Sequence, residues 1–188
     1  MEKDDGQLIS EYLDGDEKAL TFLVNRYLKD VYNFAYKLTN DFQVSEDIAQ
    51  ESFVKAWKNI RKYRHESNFR TWIFSITRNT AIDWLRQKKD VTFSSFENAQ
   101  GENKLVDTLV DTQLSPNELI EQAENIKLVE NLLIQLDPRY QEVLTLKYTS
   151  DLTFEQIGEI LRRPLHTVKS QHRRALIALR RLFQAEPA

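Results

Sequence analysis

The chain contains no cysteine. That excludes disulfides, thiolate metal sites and thiol catalysis, and it fits a reducing compartment. Glycine and proline are scarce, four of each in 188 residues, so little interrupts long helices. Histidine occurs only at His65, His166 and His172. None of the three stands at metal-ligand spacing from a carboxylate pair on one face, and no glycine-rich phosphate loop is present. An enzyme is therefore not expected, and no catalytic residue, metal or cofactor is assigned. No run approaches ~18 consecutive apolar residues, so membrane insertion is not expected. The opening stretch MEKDDGQLIS lacks the apolar core of a secretory signal. The expected location is the cytoplasm, and no regulatory domain is expected beyond the last helix.

Apolar residues make up 41% of the chain, enough for packed cores. The net charge of −3 conceals strong local fields. Residues 52–90 carry ten basic and three acidic side chains, and residues 162–181 carry seven basic and no acidic ones. Each block is net +7, in a background that is otherwise acidic. Local fields, rather than the mean, attract phosphates.

Periodicity predicts helices. Leu20, Leu23, Val24, Tyr27, Leu28, Val31, Phe34, Ala35 and Leu38 recur every three or four residues and mark one long amphipathic helix, with Asp16 as its N-cap. Ser45 is read as the cap of the next helix, placing Glu46 and Asp47 in a first turn that favours anions. Its buried stripe is Ile48, Ala49, Phe53, Ala56, Trp57 and Ile60. A third helix is predicted from Phe69 to about Lys88, with Phe69, Trp72, Ile73 and Ile76 on one side. Residues 91–114 are polar, acidic and weakly patterned, and are read as a linker reaching at most roughly 80 Å. Ser115-Pro116-Asn117-Glu118 is a capping box with Pro at the first helical position. Its helix runs to the break at Asp137-Pro138. A further helix is expected over Arg139–Tyr148. A second capping box, Thr153 to Gln156, opens a short helix ending near Leu161. After Arg162-Arg163-Pro164, a last helix is predicted with Val168, Ala175, Leu176, Leu179 and Leu182 inward.

The two final helices, joined by a short turn, describe a helix-turn-helix. The second would enter a major groove and present Thr167, Lys169, Ser170, Gln171 and Arg174 to bases and phosphates. Arg162, Arg163, Arg173, Arg180 and Arg181 would mostly meet the backbone and set register. Absence of any acid in this block argues against a merely solvated helix, where mixed signs form i,i+4 pairs. Residues 55–89 interleave cations with aromatics, a composition suited to unpaired bases: cations track the backbone and rings stack. The polar loop Tyr63-Arg64-His65-Glu66-Ser67-Asn68-Phe69 is the candidate for holding an extruded base. Trp57, Phe69 and Trp72 also match helical stripes, which reads them as core.

These motifs together resemble the extracytoplasmic-function (ECF) group of bacterial RNA polymerase sigma factors. The resemblance rests on Ser45-Glu46-Asp47-Ile48-Ala49-Gln50-Glu51-Ser52-Phe53, on Phe69-Arg70-Thr71-Trp72 through Arg78-Asn79 to Asp83 and Arg86, and on Thr153 to Ala175. It implies that Asp47, Gln50, Glu51 and Phe53 grip core RNA polymerase. It implies that Tyr63, Arg64, His65, Ser67, Asn68 and Phe69, with Asn79 and Arg86, read and melt the minus-ten promoter element and hold the non-template strand. Thr167, Lys169, Ser170, Gln171, Arg173 and Arg174 would take the minus-thirty-five element. An anti-sigma protein is a further partner the resemblance admits. The implied fold class is all-α: two small helical domains, residues 1–90 and 115–188, joined by a flexible acidic linker, residues 91–114, the second domain ending in the helix-turn-helix.

Four positions depart from the pattern. Arg162 stands where the family usually has Gly, Gly158 where Ala is common, Gln171 where Arg is common and His172 where Leu is common. The rival reading is a helix-turn-helix regulator that acts on duplex DNA without polymerase. It would usually dimerise across two half-sites and would leave the block at 45–89 without a purpose.

Overall fold

A computed structural model describes residues 3–63, 68–91, 128–129 and 131–185. All regular structure among them is helical. The linker and the capping box at Ser115–Glu118 lie outside the described residues, as do Arg64, His65 and Ser67 of the loop.

Helix α1 (Asp5–Leu13) was not foreseen, although its start carries a readable signal. Asp4 accepts from the Gln7 amide at 2.8 Å while Gln7 accepts from the Asp4 amide at 3.1 Å, a reciprocal capping box. Leu8 and Ile9 are buried. Asp5 pins the helix to its neighbour through the Arg26 guanidinium at 2.5 Å and the Tyr27 hydroxyl.

Helix α2 (Glu17–Thr39) starts as predicted, with Asp16 accepting from the Lys18 amide at 3.0 Å. It stops at Asn40, which adopts the left-handed conformation at φ 51°, a state Asn tolerates better than most residues. The tight turn brings Asp41 into the N-cap position of α3 (Phe42–Asn59), where it accepts from the Val44 amide at 3.1 Å. Ser45 is therefore not the cap. It is buried inside the helix, and its hydroxyl donates to the Asp41 carbonyl and lies 2.9 Å from Thr39 Oγ1. Glu46 and Asp47 fall beyond the first turn. The helix dipole, whose effect fades within that turn, does not account for them.

Helix α4 (Phe69–Val91) buries Phe69, Ile73 and Phe74. Helix α5 (Pro138–Leu144) starts at its proline, with Asp137 accepting from the Arg139 amide at 2.8 Å. It passes into a π-helical turn at Thr145–Thr149, so the predicted helix to Tyr148 is present with its last part wider and underwound. Helix α6 (Phe154–Leu161) carries the predicted box: Thr153 and Gln156 cap each other at 3.2 and 2.8 Å. Helix α7 (Leu165–Ala185) buries Val168 and Ala175 and packs Ala178, Leu179 and Leu182 inward. Leu176, expected on this stripe, is 40% exposed. Ala178 takes the place assigned to it.

The helices form two units that meet. Leu136, Leu144 and Ala175 centre a small core between α5 and α7. On its other side, α6 packs on α4. Val143, Leu146, Leu152, Ile157, Ile160, Leu161 and Val168 join one apolar cluster with Phe34, Phe69, Ile73 and Phe74. Each fully buried aliphatic of that size stabilises by about 1.5–3 kcal/mol relative to exposure, so the junction is a packed interior.

Candidate polymerase and nucleic-acid interfaces

Three outward faces follow from this arrangement. On α3, burying Ile48, Ala49, Ser52, Phe53 and Ala56 turns Glu46, Asp47, Gln50 and Glu51 to solvent. Glu51 pairs with Lys55 one turn on, at 2.8 Å. Phe53 is a correction: it is 5% exposed, its ring 5.9 Å from that of Trp57, and it belongs to the core. Val54, 47% exposed, stands on the outward face seven residues after Asp47. Sequence reasoning missed it, although an apolar residue in register with a polar face is a readable contact signal.

The second face belongs to α4. Asn79, Asp83 and Arg86 are exposed at helical spacing. Arg70 and Arg78 of the same basic block are engaged instead: Arg70 donates to Asp30 at 2.8 Å, and Arg78 pairs with Glu142. Before the helix, Asn68 is exposed, and its side chain accepts from the Arg70 amide at 2.9 Å, capping α4. Phe69 is also a correction. It is 1% exposed, packed among Tyr27, Trp57, Tyr63 and Trp72 at centroid distances of 5.5–6.5 Å, and it presents no face to a base. Tyr63 is half-buried between Phe69 and Trp72 at the edge of this cluster. Burial, then the charge of Asp5, pushes its hydroxyl pKa up, so it remains a protonated donor at neutral pH.

The third face is the start of α7. Lys169, Ser170, Arg173 and Arg174 are exposed, while Thr167 and Gln171 are half-buried. Ser170 donates back to the Thr167 carbonyl at 2.9 Å. Gln171 accepts from Arg163 at 3.1 Å, and Arg163 also donates to Glu142 at 3.4 Å. An unbroken chain of polar contacts thus runs from Arg78 on α4 through Glu142 and Arg163 to Gln171 on α7.

The Sigma-70 region 2 family model matches residues 23–91, and the Sigma-70, region 4 model matches residues 126–179. The ECF RNA polymerase sigma factor SigW of Bacillus subtilis is 31% identical over 92% of this chain and 93% of its own length. The ECF RNA polymerase sigma-E factor of Haemophilus influenzae is 33% identical, covering 91% and 90%. The chain belongs to the ECF RNA polymerase sigma factors. In structure it is similar to the sigma factor RpoE of Bartonella quintana, solved with the anti-sigma factor NepR: TM-score 0.70, 22% identity, 90% of this chain and 99% of that one. It is equally similar to CnrH, solved with the cytosolic domain of CnrY: TM-score 0.70, 21% identity, 97% and 99%.

A sigma factor of this kind is a promoter-specificity subunit: it binds core RNA polymerase and promoter DNA and directs transcription initiation. A regulator acting without polymerase is not favoured, because region 2 then has no task.

In this ECF sigma factor the unusual residues of the helix-turn-helix fit together physically. Arg162 closes α6 in the left-handed conformation, φ 52°, where Gly would cost nothing and other residues cost about 1–2 kcal/mol. His172 is half-buried between Tyr148 and Phe154, with ring centroids 5.7 and 5.0 Å away, and its Nε2 lies 3.1 Å from the Tyr148 hydroxyl. Desolvation, then the nearby Lys147 ammonium, depresses its pKa. It thus fills the packing place of an apolar side chain as a neutral ring.

Proposed function

We propose that the three outward faces divide the work of this sigma factor. Asp47, Gln50 and Glu51, extended by Val54, form the contact with core polymerase. Their exposure beyond the reach of the helix dipole is the observation that carries this assignment, because no hydrogen bond or ion pair among the described residues employs these groups except the Glu51–Lys55 pair. Asn79 and Arg86, with the loop that Tyr63 and Asn68 flank, take the minus-ten element. Lys169, Ser170, Arg173 and Arg174 take the upstream element, Lys169 and Arg174 nearest the bases, where Lys and Arg read guanine. Thr167 and Gln171 are at the margin of that surface.

The factor acts in the cytoplasm, where core polymerase is. No helix among the described residues is long and apolar enough to cross a membrane. It catalyses no reaction of its own. An anti-sigma protein is a fitting partner, since the similar RpoE structure was solved with the anti-sigma factor NepR.

The test is a titration of labelled chain with purified core polymerase. The double substitution Asp47→Ala with Gln50→Ala is expected to weaken binding while far-UV circular dichroism stays native. Native affinity in the double variant would contradict the assignment.

A further inference from the structure

Glu142 sits where the two helical units meet. It is 8% exposed. Its Oε1 accepts from Arg78 Nε of α4 at 2.5 Å, and its Oε2 accepts from Arg163 of the helix-turn-helix at 3.4 Å. The two arginines come one from each of the two basic blocks, whereas Glu142 comes from the acidic stretch between them. A single carboxylate therefore neutralises one cation of each DNA-reading unit. A carboxylate so buried is tolerated only when paired, so undocking the units strips Glu142 of Arg78 and leaves it the longer 3.4 Å contact with Arg163 of its own unit.

Docking is incompatible with promoter engagement on geometric grounds. The minus-ten and minus-thirty-five elements are about 25 base pairs apart, roughly 85 Å at ~3.4 Å per pair. Here α6, the first helix of the helix-turn-helix, packs directly on α4, and packed helix axes stand about 8–10 Å apart. One chain cannot reach both elements until the units part by tens of ångströms.

We propose that Glu142 is an intramolecular latch. It holds the free factor in a closed state that cannot engage both promoter elements, and it releases Arg78 when core polymerase separates the units. The inference rests on the sigma-factor reading for its consequence, but the closed state itself is a property of the free chain. A factor that must open before it functions binds its partner more weakly by the fraction of time it is open. Weakening the latch should therefore tighten the complex with core polymerase.

The lack of cysteine permits a direct test on the full chain. Gln43→Cys on α3 and Gln184→Cys near the end of α7 are exposed positions that take a donor and an acceptor dye. Single-molecule energy transfer in the free chain reads docking alone, and a titration with core polymerase reads sigma function separately. The free chain with Glu142 intact is expected to show mainly high transfer. Glu142→Gln keeps the shape and removes the charge. It is expected to raise the ratio of low-transfer to high-transfer molecules by about tenfold, and to tighten core binding while the closed state still dominates. If Glu142→Gln loses its helical circular dichroism, Arg78→Gln, which removes the cation that reaches Glu142 from the other unit, carries the same test. An unchanged transfer distribution in the folded variant overturns the latch, and so does opening without tighter core binding. Failure of the chain with Glu142 intact to bind core polymerase at all would instead strike the sigma reading and leave the transfer result standing.

Discussion

A Cβ atom placed on Gly158 would stand 2.9 Å from the carbonyl oxygen of Arg163. The turn of the helix-turn-helix folds back closely onto α6, and the Arg163 amide donates to the Gly158 carbonyl at 2.9 Å. Glycine in mid-helix ordinarily costs about 1 kcal/mol relative to Ala. Here backbone meets backbone, and the clash cannot be relieved by turning a side chain.

Gly158→Ala is therefore expected to destabilise by about 1–2 kcal/mol, since overpacking outweighs the propensity gain. Arg162→Gly should do the opposite and stabilise by up to about 1 kcal/mol, relief of the left-handed strain exceeding the added chain entropy. Urea unfolding of both variants checks the signs. A stabilised Gly158→Ala would show that the turn is looser than described.

His172 supplies a pH dependence. Its pKa in the folded state is depressed below the ordinary 6.5, so below that pH the unfolded chain takes up the proton more readily. The contribution to stability is full above about pH 6.5 and is lost as pH falls through the folded-state value. His172→Leu should flatten the stability profile between about pH 7 and pH 5 relative to the chain with His172. Parallel slopes in denaturant titrations of the two proteins would contradict the burial of a neutral ring.

Asn79 is exposed on α4 and is assigned to the melted strand. Asn79→Ala should lower the yield of opened promoter complex about fivefold, the loss of roughly 1 kcal/mol of hydrogen bonding, with little effect on initial docking. Permanganate footprinting reads the unpaired bases, and an unchanged bubble would remove Asn79 from this role.

Local signals carried most of the fold. The Asp16 cap, the α2 stripe and the Thr153–Gln156 box are each complete within a few residues, and each was legible. Ser45 was misplaced because Asp41 and Ser45 are both good caps in sequence. The choice was settled by the left-handed Asn40, whose conformation no short-range pattern announces. Phe53 and Phe69 carried two readings: helical periodicity set both on buried stripes, as found, whereas the motif resemblance, which carries residue identity but not the buried side of a helix, made them contacts. The aromatic cluster around Trp57 claims both. Glu142 was not singled out at all: its partners lie 64 and 21 residues away, and only the meeting of the two units brings Arg78 to it.

Promoter selection by this chain is tested most directly by run-off transcription with purified core polymerase over a library of randomised upstream sequences. Adding the chain should produce discrete start sites preceded by two selected sequence blocks. Lys169→Ala and Arg174→Ala should each weaken selection at the upstream block by about 1–3 kcal/mol. A start-site pattern identical to that of core polymerase alone would contradict it.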